Sequence, residues 1–165
     1  MSEIKLSRVE RFVRAHIQHY DEKKYWSRRE KVIKSSYGIF SKLLNTYRLF
    51  YIKRCDAFNN ASLGTHIGFG ASFADIPKLP HGLYGIIVSH NAVIGKGCTI
   101  FHQVTIGEGK GGAPVIGDNV LIGAGAKIIG NVHIGNNVKI GVNAVIVHDV
   151  PEGAVVAALE GVRIK

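Results

Sequence analysis

The sequence predicts a mainly β chain, a three-sided coil of short parallel strands behind an N-terminal helical segment. Three observations predict it. Isoleucine or valine recurs every six residues at Val88, Ile94, Ile100 and Ile106, and again at Ile116, Ile122, Ile128, Ile134, Ile140 and Ile146. Glycine or asparagine follows at the places where such a chain must turn, among them Gly95, Gly107, Gly117, Asn119, Gly123 and Asn143. Before residue 57 the six-residue period is absent and a helical one takes its place.

The helical segment reads as three pieces. Val9, Phe12, Val13, His16, Ile17 and Tyr20 step by threes and fours along one face of an amphipathic helix. Ser7 and Glu10 have capping-box spacing at its start. Tyr25, Trp26, Arg29, Val32 and Ile33 mark a shorter second helix. Ile39, Phe40, Leu43, Leu44, Tyr47, Phe50 and Tyr51 mark a third, running to about Arg54, with Ser35, Ser36 and Gly38 between the last two.

In the remainder, six residues are enough for one short strand and one tight turn. The aliphatic side chain points inward. A small or β-branched residue four places on, such as Ala92, Cys98, Val104 or Ala126, lets the chain turn the corner. Three units close a coil of about 18 residues, and coils stack at the parallel-strand spacing of roughly 4.8 Å. Ile106 then lies above Val88, and Ile116 above Ile94. Ala61, Ile67 and Phe73 read as a weaker first coil. The one interruption of the register is the loop Glu108–Ala113. The resulting division is a helical segment over 1–56 and the coil with its C-terminal tail over 57–165.

Composition narrows the functional classes. A chain of 165 residues with 46% hydrophobic and 20% charged side chains is not disordered throughout. Two cysteines 43 positions apart make neither a disulfide framework nor a four-cysteine zinc cage. No apolar run reaches membrane-spanning length, and the charged N-terminus lacks the apolar core of a signal peptide, so the expected location is cytoplasmic. Residues 1–54 carry 14 Lys/Arg against five Asp/Glu, whereas residues 55–165 carry seven of each. That basic segment is either a solvated helix face or a contact for an anionic partner, including peripheral contact with a membrane. Its aromatic residues sit at helical spacing rather than in a stacking array, which disfavours nucleic acid.

Three stretches carry a resemblance to a known family: Pro80-His81-Gly82-Leu83-Tyr84-Gly85-Ile86-Ile87-Val88, Ile100-Phe101-His102-Gln103-Val104-Thr105-Ile106-Gly107, and Pro114 through Ile128. Together with the repeat, they resemble the hexapeptide-repeat, left-handed β-helix acyltransferases. Within these, the resemblance is to the serine acetyltransferase branch and its relatives that acetylate sugars and polysaccharides. It implies a left-handed parallel β-helix, acetyl-CoA as acyl donor without a required metal, and a homotrimer with the donor in a groove between neighbouring β-helices. His81 matches the family's general base. Gly109, Ala124, Lys139 and Val142 match positions that approach the cofactor. Lys110 and Lys127 are further candidates for its phosphates.

The chemistry suits an imidazole. An alcohol must lose its proton as it attacks a thioester, and imidazole can take that proton near neutral pH and pass it to the departing thiolate. Asp75, the nearest acid upstream of His81, is the candidate to orient the ring. His90 and His102 read as corner or outer-face residues, with lining of the groove as the alternative, and Cys98 as a corner packing residue. Two departures from serine acetyltransferases bear on the acceptor. Pro80 stands where they place an Asp before the catalytic His, and Gly112-Ala113 stand where they carry an Arg-His pair. Without those charges, a neutral sugar or polysaccharide hydroxyl is the expected acceptor, with serine as the alternative. A zinc carbonic-anhydrase-like enzyme and a non-catalytic scaffold are the competing readings. The chain also departs from the family's usual ending at Ala157–Arg163, which bears on contacts with the adenine end of the cofactor.

Overall fold

The computed structural model describes residues 7–35 and 39–158; the side chains of Glu10, Arg11, Arg14 and Ile39 are not described. The capping partner Glu10, the Ser36–Gly38 break and most of the departing C-terminal tail therefore lie outside the described residues. Three helices come first: α1 (Arg8–Ile17), α2 (Glu22–Ile33) and α3 (Ile39–Phe58). Fourteen short strands follow. They are β1 (Thr65–His66), β2 (Phe69–Gly70), β3 (Ser72–Phe73), β4 (Ile87–Val88), β5 (Val93–Ile94), β6 (Thr99–Ile100) and β7 (Thr105–Gly107). The rest are β8 (Val115–Ile116), β9 (Leu121–Ile122), β10 (Lys127–Ile129), β11 (His133–Ile134), β12 (Lys139–Ile140), β13 (Val145–Ile146) and β14 (Val155–Val156).

The strands form the three walls of a parallel β-solenoid. One wall orders β4, β7, β10 and β13, the second β3, β5, β8 and β11, and the third β6, β9, β12 and β14. Val88 pairs with Ile106 and Ile94 with Ile116, the register the repeat predicts. The second residue of each rung points inward: Ile94, Ile100, Ile106, Ile116, Ile122 and Ile128 are fully buried. The core is thus a stack of aliphatic rungs, each stabilised by roughly 25 cal/mol per Å² of apolar surface removed from water.

The first coil departs from the predicted repeat. Phe73 does pair with Ile94, but Ile67 is not a rung. It sits in the two-residue loop of an antiparallel hairpin, with Thr65 opposite Gly70 and His66 opposite Phe69. The reason is the neighbouring helix. Arg29 of α2 is buried and donates to Leu63 O (3.0 Å), Ala71 O (2.6 Å) and Thr65 Oγ1 (3.1 Å). These bonds occupy backbone carbonyls at the unpaired end of the solenoid. Trp26 packs edge-on against Phe73 at 5.0 Å, and α2 closes this end. A closed end cannot pair with another chain.

The helices hold a second surprise. α1 and α3 turn their apolar faces outward: Phe12 is 63% exposed and Phe40 91%. α3 instead buries Ile52 with the polar residues Asn45 and Asp56, and Asn59 is buried just after it. Each of these polar residues has a partner, but Asp56 Oδ2 is buried with none among the described residues. Tyr25 Oη donates to Asp56 Oδ1 at 2.7 Å, and Asn59 Nδ2 donates to Gln18 O and Cys55 O, both at 2.9 Å. Asn45 Nδ2 donates to Ser35 Oγ at 2.7 Å. Burial raises the Asp56 carboxyl to about 6, a shift that the Tyr25 hydrogen bond only partly offsets.

Candidate active site

The edge between the third wall and the first carries His81, Ala124 and Val142 of the predicted site. Lys78 bridges to Thr99, an offset of one coil enlarged by the Pro80–Gly85 loop. The same offset lays His81 beside His102 on the next coil. The loop turns tightly at Gly82, whose backbone adopts φ +68° and whose N–H donates to Leu79 O at 3.0 Å. His81 is thereby held out on an exposed corner. Its ring centroid lies 4.8 Å from that of His102, with the planes almost perpendicular at 84°, and 5.9 Å from that of Phe101.

Both imidazoles line a cavity of about 460 Å³ where the helices meet the coil. Ile17 and Gln18 at the end of α1 close one side, Phe58 and Asn59 after α3 another, and Tyr84 completes the wall. Among the described residues, no lysine, arginine or carboxylate lines it.

Asp75 is not brought to this cavity. Its Oδ2 accepts from Gly97 N at 2.9 Å, and the residue lines a different cleft of about 570 Å³ between α2 and the first coil. The sequence reading placed Asp75 by its distance along the chain. The loop instead spends its carboxylate on a corner of the next coil.

The cofactor candidates divide. Ala124 and Val142 stand on the same edge as His102, on successive coils, and Asn143 N donates to Ala124 O at 2.9 Å. Lys139 is exposed on the third wall beside that edge. Gly109 lies on the next edge, beyond the first wall, in a tight turn paired with Gly112. Lys110 in the same turn is exposed. Lys127 is committed internally, donating from Nζ to Gln103 O (3.0 Å) and Gly125 O (2.9 Å). His90 is also on the second edge, edge-on to His66 at 5.5 Å. Cys98 is buried and its thiol lies 3.3 Å from Gly117 O; burial pushes its ionisation upward, which suits packing rather than nucleophilic attack.

Tyr84, Asn59, Gln18 and the pairing of His102 with His81 are what the sequence reading missed. The 21-residue separation of the two histidines carries the signal, once the loop is counted as an enlargement of one coil.

Comparisons with known proteins agree with this architecture. Residues 113–148 match the family described as bacterial transferase hexapeptide (six repeats). Serine acetyltransferase of Staphylococcus aureus is 35% identical over 134 residues, spanning 79% of this chain and 62% of that protein. The solved soybean serine acetyltransferase apoenzyme superposes with a TM-score of 0.65 at 30% identity, over 82% of this chain and 54% of that one. Serine acetyltransferase of Brucella abortus strain S19 in complex with coenzyme A gives a TM-score of 0.65 at 25% identity, over 84% and 52%. The chain therefore spans 62% of the length of the first of these relatives and about half that of the other two. Residues 113–148 thus carry the bacterial hexapeptide-repeat signature, and the chain is similar in sequence and fold to serine acetyltransferases.

Proposed function

We propose that this protein is an acetyl-CoA-dependent O-acetyltransferase in which His81 is the general base. The observation that carries the reading is the placement of His81 on an exposed corner of a cavity, on the edge that also bears the cofactor candidates Ala124 and Val142. In the reaction, His81 takes the proton of the acceptor hydroxyl as its oxygen attacks the thioester carbon, then returns it to the sulfur that leaves. No enzyme-bound acyl group is needed. The small side chains of the edge leave room for the pantetheine arm, and Lys139 beside it offers a cation to the phosphates. Gly109, on the neighbouring edge, would serve a cofactor bound between two copies of the chain.

Serine is the acceptor that similarity supports, because the relatives are named serine acetyltransferases. The sugar acceptor expected from the sequence departures has no support from those relatives. One observation keeps a neutral polyol as the second reading: the cavity lining offers no charge for an ammonium or a carboxylate. The deciding experiment follows thiol release from acetyl-CoA with L-serine and with candidate sugars. Turnover with L-serine that vanishes in His81→Ala supports the first reading. Undiminished turnover in His81→Ala removes the assigned base.

Two further proposals concern partners. Outward-facing Ile87 and Val145 on the first wall support a homotrimer, to be checked by sedimentation. The basic charge of residues 1–54, beside the exposed apolar faces of α1 and α3, supports peripheral contact with an anionic membrane. Unchanged partitioning of the protein between neutral and anionic vesicles would remove that contact.

A further inference from the structure

We propose that His102 is a second catalytic residue, its Nε2–H donating to the thioester carbonyl oxygen as negative charge develops there. This inference rests on the acyl-transfer reading and gives its active site a second working group.

The starting point is an orphaned atom. His102 Nδ1 is buried and has no hydrogen-bond partner among the described residues. A proton on Nδ1 would be a buried donor without an acceptor, a costly arrangement. The neutral ring therefore carries its proton on Nε2, and Nε2 is the nitrogen left to serve the cavity that His102 lines. The two rings stand perpendicular at 4.8 Å and share no hydrogen bond among the described contacts, so His102 does not act as a relay for the proton on His81. One imidazole accepts and the other donates within the same space.

The backbone around His102 is built to hold it still. His102 O accepts from Gly125 N at 3.0 Å, and Gln103 N donates to Tyr84 O at 3.0 Å. Gln103 adopts φ +58°, a left-handed conformation unusual for a residue with a side chain, and Lys127 Nζ clamps its carbonyl. Gly85 makes room for it, since a Cβ there would lie 3.0 Å from Gln103 Cγ. A donor fixed in advance stabilises developing charge without reorganising during the reaction. Among the described side chains that line the cavity there is no lysine or arginine, so His102 is placed to supply a side-chain donor there.

The balanced step is as follows. The acceptor O–H bond breaks and its proton goes to His81. The acceptor oxygen bonds to the carbonyl carbon, and the carbonyl π pair moves onto the oxygen facing His102. That pair returns, the C–S bond breaks, and the thiolate takes the proton from His81. The products are an O-acetyl ester and free coenzyme A.

The test compares His102→Phe and His102→Gln with the wild type, using acetyl-CoA with L-serine and with candidate sugars. Thermal midpoints verify folding, and the glutamine variant keeps a side-chain N–H if the aromatic one fails to fold. Loss of about 100-fold or more in kcat is expected for His102→Phe, with KM for acetyl-CoA within about threefold. The glutamine variant should stay within about tenfold of wild type. In ¹⁵N-histidine-labelled protein, two-bond ¹⁵N–¹H correlations should give His102 the Nε2–H pattern, in the wild type and in His81→Ala alike. An Nδ1–H pattern, or unchanged kcat in His102→Phe beside an active wild type, overturns the role of His102 alone. A wild type inactive with every acceptor overturns the acyl-transfer reading and this role together.

Discussion

The coil and the helices in front of it bury opposite kinds of side chain. In the coil, from β4 to β13, each rung places an isoleucine or valine inside and small or β-branched residues fill the corners. In α3 the inward face carries Asn45 and Asp56, with Asn59 buried just beyond its end, while Phe40, Leu43, Tyr47 and Phe50 point outward. The coil therefore follows the hydrophobic pattern, and α3 follows hydrogen-bond demand. Asn59 satisfies the carbonyl of Gln18, and Asp56 receives the hydroxyl of Tyr25. The difference teaches that an amphipathic period fixes a helix, but not which of its faces meets the protein.

Four measurements sharpen or break this contrast. The largest effect is expected in the coil. Ile122→Ala removes a fully buried rung from the middle of the stack and should cost about 3–4 kcal/mol in denaturant unfolding. A cost below about 1 kcal/mol would mean that the rungs are not the main store of stability.

Next is the pH response of the helical region. The Asp56 carboxyl titrates at about 6 when folded against an ordinary 3.8, so the folded state holds its proton more tightly. The favourable contribution is complete below about pH 4 and is lost as pH rises to about 6. Up to about 3 kcal/mol is at stake, from the conversion of roughly 1.4 kcal/mol per pKa unit. Asp56→Asn should flatten the unfolding free energy over that window. A slope that survives in the variant assigns it to another group.

Third, Gly64→Ala tests the join between the two regions. Gly64 has φ +55°, and a Cβ there would meet the Cα and N of His90 at 2.7 Å. Backbone cannot move aside as a side chain can, so a loss of about 2 kcal/mol is expected in thermal or denaturant melts. The smallest effect belongs to Phe40→Ser. This side chain lies almost entirely in solvent, and the change should alter stability by less than about 0.5 kcal/mol. A cost comparable with that of the rung would show that a second copy covers this face.

The contrast also explains what was legible beforehand. The rungs were legible because each six-residue unit repeats the same local problem, so Val88 over Ile106 follows from counting. His81 was singled out by its motif, and it lines a cavity. The first coil was not, because Arg29, far away in sequence, takes the carbonyls of Leu63 and Ala71 and favours a hairpin around Ile67. Asp75 was misplaced for a similar reason: proximity along the chain says nothing about Gly97, one coil away, which holds its carboxylate. The pairing of His102 with His81 needed the exact length of the Pro80–Gly85 loop, which the repeat alone does not supply.

The seal that α2 makes over the first coil has a consequence for how such a chain can change in length. Arg29 anchors that end to particular carbonyls, so a unit added there would have to rebuild the anchor. Toward β14 the rungs continue without a comparable anchor among the described residues. An 18-residue module inserted between the later coils would lengthen the prism away from the imidazoles and leave the Arg29 anchor in place.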